Sequence, residues 1–459
     1  MGGAVVLAVS LAACSSSSNS STTTTTSSST SSTASTSSSS TGGVTVGAGQ
    51  PVVVGSIATL TGAIASNFNG TPAGMEAYFD MINAQGGVNG HKFLLSYNLD
   101  DGSNPATFSQ LSHTIIEQDH VFAVLASTFF FSPDFFVSNN TPTFGYNVSG
   151  NWAGSCPSYT GAAPSSCTAG PLNLFAAGGS TQNYDLGAPS VAWAIKETHS
   201  HSIAVISYGQ AITSSYDACN ADATELSNAG FSVTSFLDAQ LGGSYTSEVQ
   251  RMQANGVDFV VSCMQASDDI TMSRELQQYG LTHVHQLWFD GYDDSLLKQY
   301  NSLMQGVYLN INDSVPFDAP TAYPGHYPGE AAYLAAMNKY EPQFVHSQEA
   351  LQGWMSAVLL AQGVKLAGNN VSQANVINQM NTITGFTAGG VSSVTNWTNA
   401  HDDRIITYPL CSAFVQAKGN TFVPALNQAP QVFDCFAKST LSNLKNPVLV
   451  AAQPGTPGT

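Results

Sequence analysis

From Val52 onward, apolar and polar positions repeat one pattern: a short apolar run rich in strand-forming residues, a loop carrying Gly, Ser or Asp, then an amphipathic stretch of helical length. Repeats of that kind signal βαβ units, which assemble into a parallel sheet. The pattern predicts strands over Pro51–Ala58, Lys92–Leu99, Val121–Ala126 and Thr143–Tyr146, with helices over Ala73–Gln85 and Pro105–Gln118. Ser132-Pro133 offers an N-cap and a first helical position for another helix, with Asp134 suited to the positive end of its dipole. A second series begins at Ser202–Ser207 and continues at Phe231–Phe236, Val257–Ser262, His285–Phe289 and Gly306–Ile311. Helices fall between these strands, among them Tyr216–Ala229 and Thr246–Asn255. Two more helices, over Gln352–Ala367 and Ser372–Thr382, precede antiparallel strands at Thr407–Val415 and Thr421–Val423.

Two successive α/β runs predict an α/β fold of two similar lobes, each with a parallel sheet. Length agrees with this: beyond the N-terminal low-complexity stretch about 400 residues remain, more than one hydrophobic core serves.

Ahead of this body the composition changes. Val5–Leu11 is apolar but too short to span a bilayer. Small residues precede Cys14 in Leu11-Ala12-Ala13-Cys14, and residues 15–49 are rich in Ser and Thr, which bury no core and make a flexible linker. This order of parts resembles a bacterial lipoprotein signal, which implies lipidation of Cys14 and an extracytoplasmic, cell-surface protein anchored to the membrane there. No later segment is long and apolar enough for a membrane-spanning helix. Residues 451–459 read as a flexible tail.

Charge narrows the partners. Only 9% of residues are charged, 29 acidic against 11 basic, for a net charge of −18. Phosphate binding needs clustered Lys and Arg, so a nucleic-acid partner is excluded. A surface so poor in charge and in Lys suits an acidic or otherwise harsh exterior. Of seven cysteines, Cys14 stands apart and the remainder is even, which in an exported chain predicts disulfides. The flanking sequence favours Cys156 with Cys167 across a Gly/Pro/Ser loop and Cys411 with Cys435 across a hairpin, which leaves Cys219 with Cys263.

The most specific stretch is Ile82-Asn83-Ala84-Gln85-Gly86-Gly87-Val88-Asn89-Gly90, followed by Leu99-Asp100-Asp101 and Pro105. It reads as a helix stopped by glycines, a tight turn, and a strand whose terminal acids cap the next element. With Leu60-Thr61-Gly62 after the first strand, it resembles the type I periplasmic binding proteins, specifically the branched-chain or hydrophobic amino-acid receptors of ABC importers, over about Val52 to Phe414. That resemblance implies two Rossmann-like lobes joined by a three-strand hinge, with lobe 1 over 51–178 and 315–403, lobe 2 over 179–314 and 404–450, and a small solute trapped as they close.

It also implies ligand positions beyond the carboxyl ends of the strands, where open parallel sheets bind ligands. Ser127 and Thr128 match the loop that holds a ligand carboxylate, and Asn147 to Ser149 match the second carboxylate-side loop. Tyr216 matches a tyrosine closing from the second lobe. Asp290 lies near the acidic partner of an α-ammonium, where the family has Glu at a spacing one residue different. Phe129-Phe130-Phe131 stand where the family has smaller polar residues. With Phe68, Trp152, Trp288 and Tyr292 they suggest an aromatic-lined cleft for an apolar or aromatic ligand, although each ring alone reads first as core or hinge packing. The segment Trp152–Pro171 is expected to overhang the cleft mouth.

Catalytic and metal motifs are missing: there is no G-x-S-x-G, H-E-x-x-H, P-loop or C-x-x-C. His199 with His201, and His283 with His285, precede strands and so fall at the edge opposite the cleft. Asp100-Asp101 and Asp268-Asp269 read as helix caps and loop acids. The sequence therefore predicts no metal, no cofactor and no enzyme activity. It predicts a lipid-anchored binding protein that delivers an amino acid, or a related small carboxylate or amide, to a membrane ABC permease. Two alternatives are a clamshell receptor that signals, and an exported α/β hydrolase.

Overall fold

The apolar runs become strands of two separate sheets. The computed structural model describes residues 43–153, 166–180, 187–402 and 404–458. The first sheet holds β1 (Val52–Ala58), β2 (Phe93–Asp100), β3 (Ala123–Ser127), β4 (Thr143–Gly145) and β5 (Leu174–Ala176) in the order β2-β1-β3-β4-β5, all parallel. β3 is buried throughout and β1 nearly so, which is why both read as continuous apolar runs. Register sets Val54 against Ala123 and Ala58 against Ser127, so neighbouring strands end together.

The second sheet comprises β6 (Ser202–Tyr208), β7 (Ser232–Ala239), β8 (Phe259–Ser262), β9 (His285–Trp288), β10 (Tyr308–Asn310), β11 (Leu410–Lys418), β12 (Thr421–Pro424), β13 (Phe433–Phe436) and β14 (Leu449–Val450). Its order is β14-β13-β11-β10-β9-β8-β6-β7, with β12 paired to β11; β6 to β10 are parallel and β11 to β14 antiparallel. The chain thus builds one α/β sheet, then a second, and returns after β10 to lay the helices Pro328–Tyr340 and Gln348–Ala367 on the first before closing the second with β11.

Helix starts follow local chemistry. Asn104 caps Pro105–Glu117 by accepting the N–H groups of Ala106 at 2.8 Å and Thr107 at 3.3 Å. The long helix begins at Gln348 and not at Gln352, because the Ser347 hydroxyl accepts the Ala350 N–H at 3.3 Å. At Ser132-Pro133 the expectation is corrected: Pro133 is the N-cap, no side chain caps it, and the helix is only Asp134–Ser138. A proline directly at the cap brings no hydroxyl to the free N–H groups.

The helix Gln348–Ala367 carries groups to the cleft, and its position rests on two glycines. A Cβ at Gly74 would lie 1.8 Å from the Ala350 carbonyl oxygen, and one at Gly353 would lie 1.9 Å from the Thr71 carbonyl oxygen. Backbones of the helices Thr71–Ala84 and Gln348–Ala367 therefore touch directly. The largest buried cluster runs from this helix pair into Trp288, Tyr292 and Phe433, joining both sheets' supports.

Cys219 bonds to Cys263, tying the helix Thr213–Asn228 to the end of β8. Cys411 bonds to Cys435 directly opposite it on β13, with Cα atoms 4.0 Å apart. Cys167 is disulfide-bonded; its expected partner Cys156 and the expected lipidation site Cys14 lie outside the described residues. Residues 44–46 and 453–456 are more tied down than composition implies. Val44 donates to the Gln373 side chain at 2.8 Å and Val46 to the Val371 carbonyl at 2.8 Å, while Thr456 is buried and the Gln453 amide reaches Tyr408 O at 3.3 Å.

Gly74→Leu or Gly353→Leu is expected to cost about 3 kcal/mol or more, because backbone on the other side cannot step aside; a urea midpoint unchanged in both variants would contradict the direct crossing. A second expectation concerns pH. Burial pushes the Asp318 and Asp434 carboxyls up to about 7 and about 8. Unfolded aspartates titrate near pH ~4, so between these limits the folded chain holds more protons and stability falls as pH rises. The urea midpoint should be higher at about pH 5 than at about pH 8; the reverse order would contradict it.

Candidate ligand-binding site

Loops at the carboxyl ends of parallel strands hold free polar groups, and here those of both sheets border one cavity of about 450 Å³. That volume suits a small-molecule ligand. From the first sheet come Asn67 and Phe68 beyond β1, Phe129 beyond β3, Tyr146 and Asn147 beyond β4, and Gly178 beyond β5. From the second come Tyr208 at the end of β6, Gln265 beyond β8, Phe289 and Asp290 beyond β9, and Asp313 beyond β10.

Asp290 is an acid of the wall held by several hydrogen bonds. Its carboxylate accepts the N–H groups of Gly291 at 2.8 Å and of Ala266 at 3.0 Å, the latter being the first residue of the helix Ala266–Gln278. It also accepts the Asn67 amide at 2.9 Å, a hydrogen bond that runs from one sheet's loops to the other's. Burial raises its carboxyl to about 6 against the pull of those N–H groups, and the charge of Asp293 adds to the rise. Asp313 is likewise raised by burial to about 6. Its Oδ2 has no hydrogen-bond partner, and Gly178, at φ +78°, leaves room for it where a Cβ would lie 2.3 Å away. The Gln265 side chain donates to Asp268 Oδ2 at 3.2 Å, which turns its unpartnered carbonyl oxygen the other way.

Aromatic rings form the apolar part. Phe68 meets Phe129 edge-on with centroids 4.9 Å apart and lies 6.2 Å from Tyr146. Tyr146 is a neutral phenol: burial raises it, and the nearby carboxylates Glu349, Asp290 and Asp313 raise it further.

Of the six ligand positions expected from sequence, Asn147 and Asp290 border the cavity and the other four do not. Ser127 ends β3 with its side chain fully buried and its hydroxyl unpartnered. Thr128 donates to Asp101 Oδ2 at 2.6 Å and accepts the Phe130 N–H at 3.1 Å. Ser149 caps the short turn Gly150–Trp152, accepting Asn151 N–H at 3.3 Å. Tyr216 sits on a helix that begins at Thr213, earlier than expected, so Ser214, Ser215 and Ala218 face the cavity in its place. Asn147 donates to the Gly179 carbonyl at 2.8 Å.

Among the aromatic residues, Phe68 and Phe129 border the cavity. Trp152 stacks on Phe131 at 4.1 Å in the core, Trp288 is fully buried, and Tyr292 stacks on Phe317 at 3.9 Å. Most of Trp152–Pro171 lies outside the described residues. Asp100 accepts the N–H groups of Leu60 and Gly102, and Asp268 and Asp269 occupy the first turn of Ala266–Gln278, so these acids sit in cap-like positions. Among the described residues no three His, Cys, Asp or Glu side chains group to hold a metal ion. Gln265 and Asp313, not among the ligand positions expected from sequence, follow strand ends, the same signal that marks Asp290.

Two α/β sheets with a solute-sized cavity between their strand ends define a type I periplasmic-binding-protein fold. The chain belongs to the periplasmic binding protein family, whose sequence profile matches residues 51–420. Similar solved structures share that fold at low identity. A fatty acid ABC transporter substrate-binding protein from Thermomonospora curvata is 14% identical with a TM-score of 0.64, covering 87% of this chain and 96% of that one. A solute-binding protein of an ABC transporter from Rhodopseudomonas palustris, in complex with benzoate, is 14% identical at 0.62, covering 82% and 95%. A leucine binding protein from Thermotoga maritima is 13% identical at 0.61, covering 81% and 97%. A sequence search of curated proteins finds no match.

The Thr128–Asp101 bond gives a structural expectation. Thr128→Val should lower stability by about 1–3 kcal/mol by leaving a buried carboxylate oxygen without its donor; an unchanged urea midpoint would contradict that assignment.

Proposed function

We propose that the chain is the solute-binding component of an ABC importer, an extracytoplasmic binder and not a catalyst, capturing an amino acid or a related small carboxylate or amide between two lobes. The single observation that carries this reading is the solute-sized cavity bordered by strand ends of both sheets and crossed by the Asn67–Asp290 hydrogen bond. Lobe 1 is taken as 51–178 with 315–403, and lobe 2 as 179–314 with 404–450. Each lobe alone offers half a wall, so a ligand touching both stabilises the closed form, and a permease distinguishes loaded from empty protein by that closure. Asn147 and Asp290 are ligand contacts in this reading, joined by Asn67, Tyr146, Gln265 and Asp313.

The leader Leu11-Ala12-Ala13-Cys14 supports lipidation at Cys14, with the Ser/Thr-rich stretch as a tether to the membrane that holds the permease. Among the described residues no helix is long and apolar enough to cross a membrane.

The test is a thermal-shift screen of the full chain against amino acids, amides and aromatic acids, since a ligand of the folded state raises the melting temperature by mass action. At least one compound should raise it, remain chemically intact after incubation, and lose its effect in Asp290→Leu. No shift from any compound, or a shift that Asp290→Leu leaves unchanged, would contradict the site; turnover would contradict the binding-only role.

A further inference from the structure

The chemistry of the cavity wall is one-sided. Its unpartnered buried polar atoms, the carbonyl oxygens of Gln265 and Gln352 and Oδ2 of Asp313, are all acceptors. Gln265 is 7% exposed and Gln352 4%, so these two side chains belong to the buried part of the wall. The Gln265 amide is held in its orientation by Asp268, so its carbonyl does not flip to present a donor. A buried acceptor left empty costs about 1–3 kcal/mol, which a ligand donor recovers.

Positive charge is missing from the same wall. None of the 11 Lys and Arg or the 10 His residues borders the cavity, and all of them lie within the described residues. Asp290 and Asp313 both border it, and the charge of each raises the Tyr146 phenol. Of the two hydroxyls expected to meet a carboxylate after β3, that of Thr128 donates to Asp101, and neither Ser127 nor Thr128 borders the cavity. Neutral donors such as the Ser214 hydroxyl remain in the wall, but a ligand carboxylate there would add a further buried negative charge with no cation to offset it.

We propose that the cavity selects an organic amine with an apolar or aromatic body, and discriminates against solutes whose recognition depends on a free carboxylate. This rests on the reading of the cavity as the ligand site; of the solutes named there it keeps amides that carry an amine and sets the carboxylates aside. The ammonium group lies among Asp290, Asp313 and the Gln265 carbonyl, its N–H groups donating to the empty acceptors. The hydrocarbon or ring packs on Phe68 and Phe129, whose faces also attract a cation.

The test uses the full chain and two matched sets: phenethylamine, phenylalaninamide, phenylalanine and 3-phenylpropionate, and their aliphatic counterparts 3-methylbutylamine, leucinamide, leucine and 4-methylpentanoate. Melting temperatures find the set that fits, and calorimetry then compares its members. The amine and the amino-acid amide should bind at least about tenfold tighter than the amino acid, with no detectable binding of the acid; a tenfold step is 1.4 kcal/mol. Asp313→Asn should weaken the amine by a similar factor, and Asp290→Asn serves as the second variant should the first fail to fold. An acid or amino acid that binds as tightly as its amine, or amine affinity unchanged in both variants, overturns this inference and leaves the cavity as a ligand site. No shift from any member of either set overturns the site reading together with it.

Discussion

The constraint on which the rest depends is the shortage of cations for buried acids. Among the described residues a single Lys or Arg pairs with a carboxylate, Arg404 with Asp402, at the surface. Asp268, Asp269, Asp290, Asp313, Asp318, Glu330, Glu349 and Asp434 are all withdrawn from water without such a partner. Two options remain to a buried carboxyl in that position: to accept hydrogen bonds from neutral donors, or to hold its proton. The fold uses both. Asp290 takes backbone N–H groups at a helix start, while Asp269, Glu330 and Glu349 are pushed well up by burial. Free N–H groups are richest where helices begin beyond strand ends, so the acids and the ligand cavity come to occupy the same place.

Architecture then decides how such a cavity responds to a solute. The crossing at Gly74 and Gly353 fixes the helix that brings Gln348, Glu349 and Gln352 to the first sheet's strand ends, so that side of the wall is rigid. Across the cavity the Asn67–Asp290 bond is a direct polar link between loops of the two sheets. One such bond to a charged group is worth about 1.5–3 kcal/mol. A ligand that adds several contacts to both walls outweighs it, which is the differential affinity that any closure requires.

Much of the fold was legible because central parallel strands are buried on both faces and read as unbroken apolar runs, as β1, β3 and β6 do. β5, β13 and β14 are not preceded by an α-helix among the described residues, so the strand–helix alternation that marks the equally short β8 and β10 does not reach them. The strand-end rule located Asn147 and Asp290, and applied evenly it reaches Gln265 and Asp313. Tyr216 misses the wall through helix phase: Ile212 precedes the helix without a side-chain cap, so nothing local marks the true start at Thr213. Thr128 looks available in sequence, and only the tertiary fold brings Asp101 against it. Phe129 and Phe131 part company for a similar reason, the first facing the cavity and the second stacking on Trp152 in the core.

The account holds that carboxyls poised near pH 6 receive the positive end of the ligand. Proton linkage reads this directly. Calorimetric titration of the tightest-binding compound at about pH 6, repeated in buffers of different ionisation enthalpy, gives the number of protons exchanged on binding. A cation beside Asp290 and Asp313 lowers their pKa values from about 6, so the account predicts net proton release. Net proton uptake, the signature of a carboxylate brought among them, would contradict it.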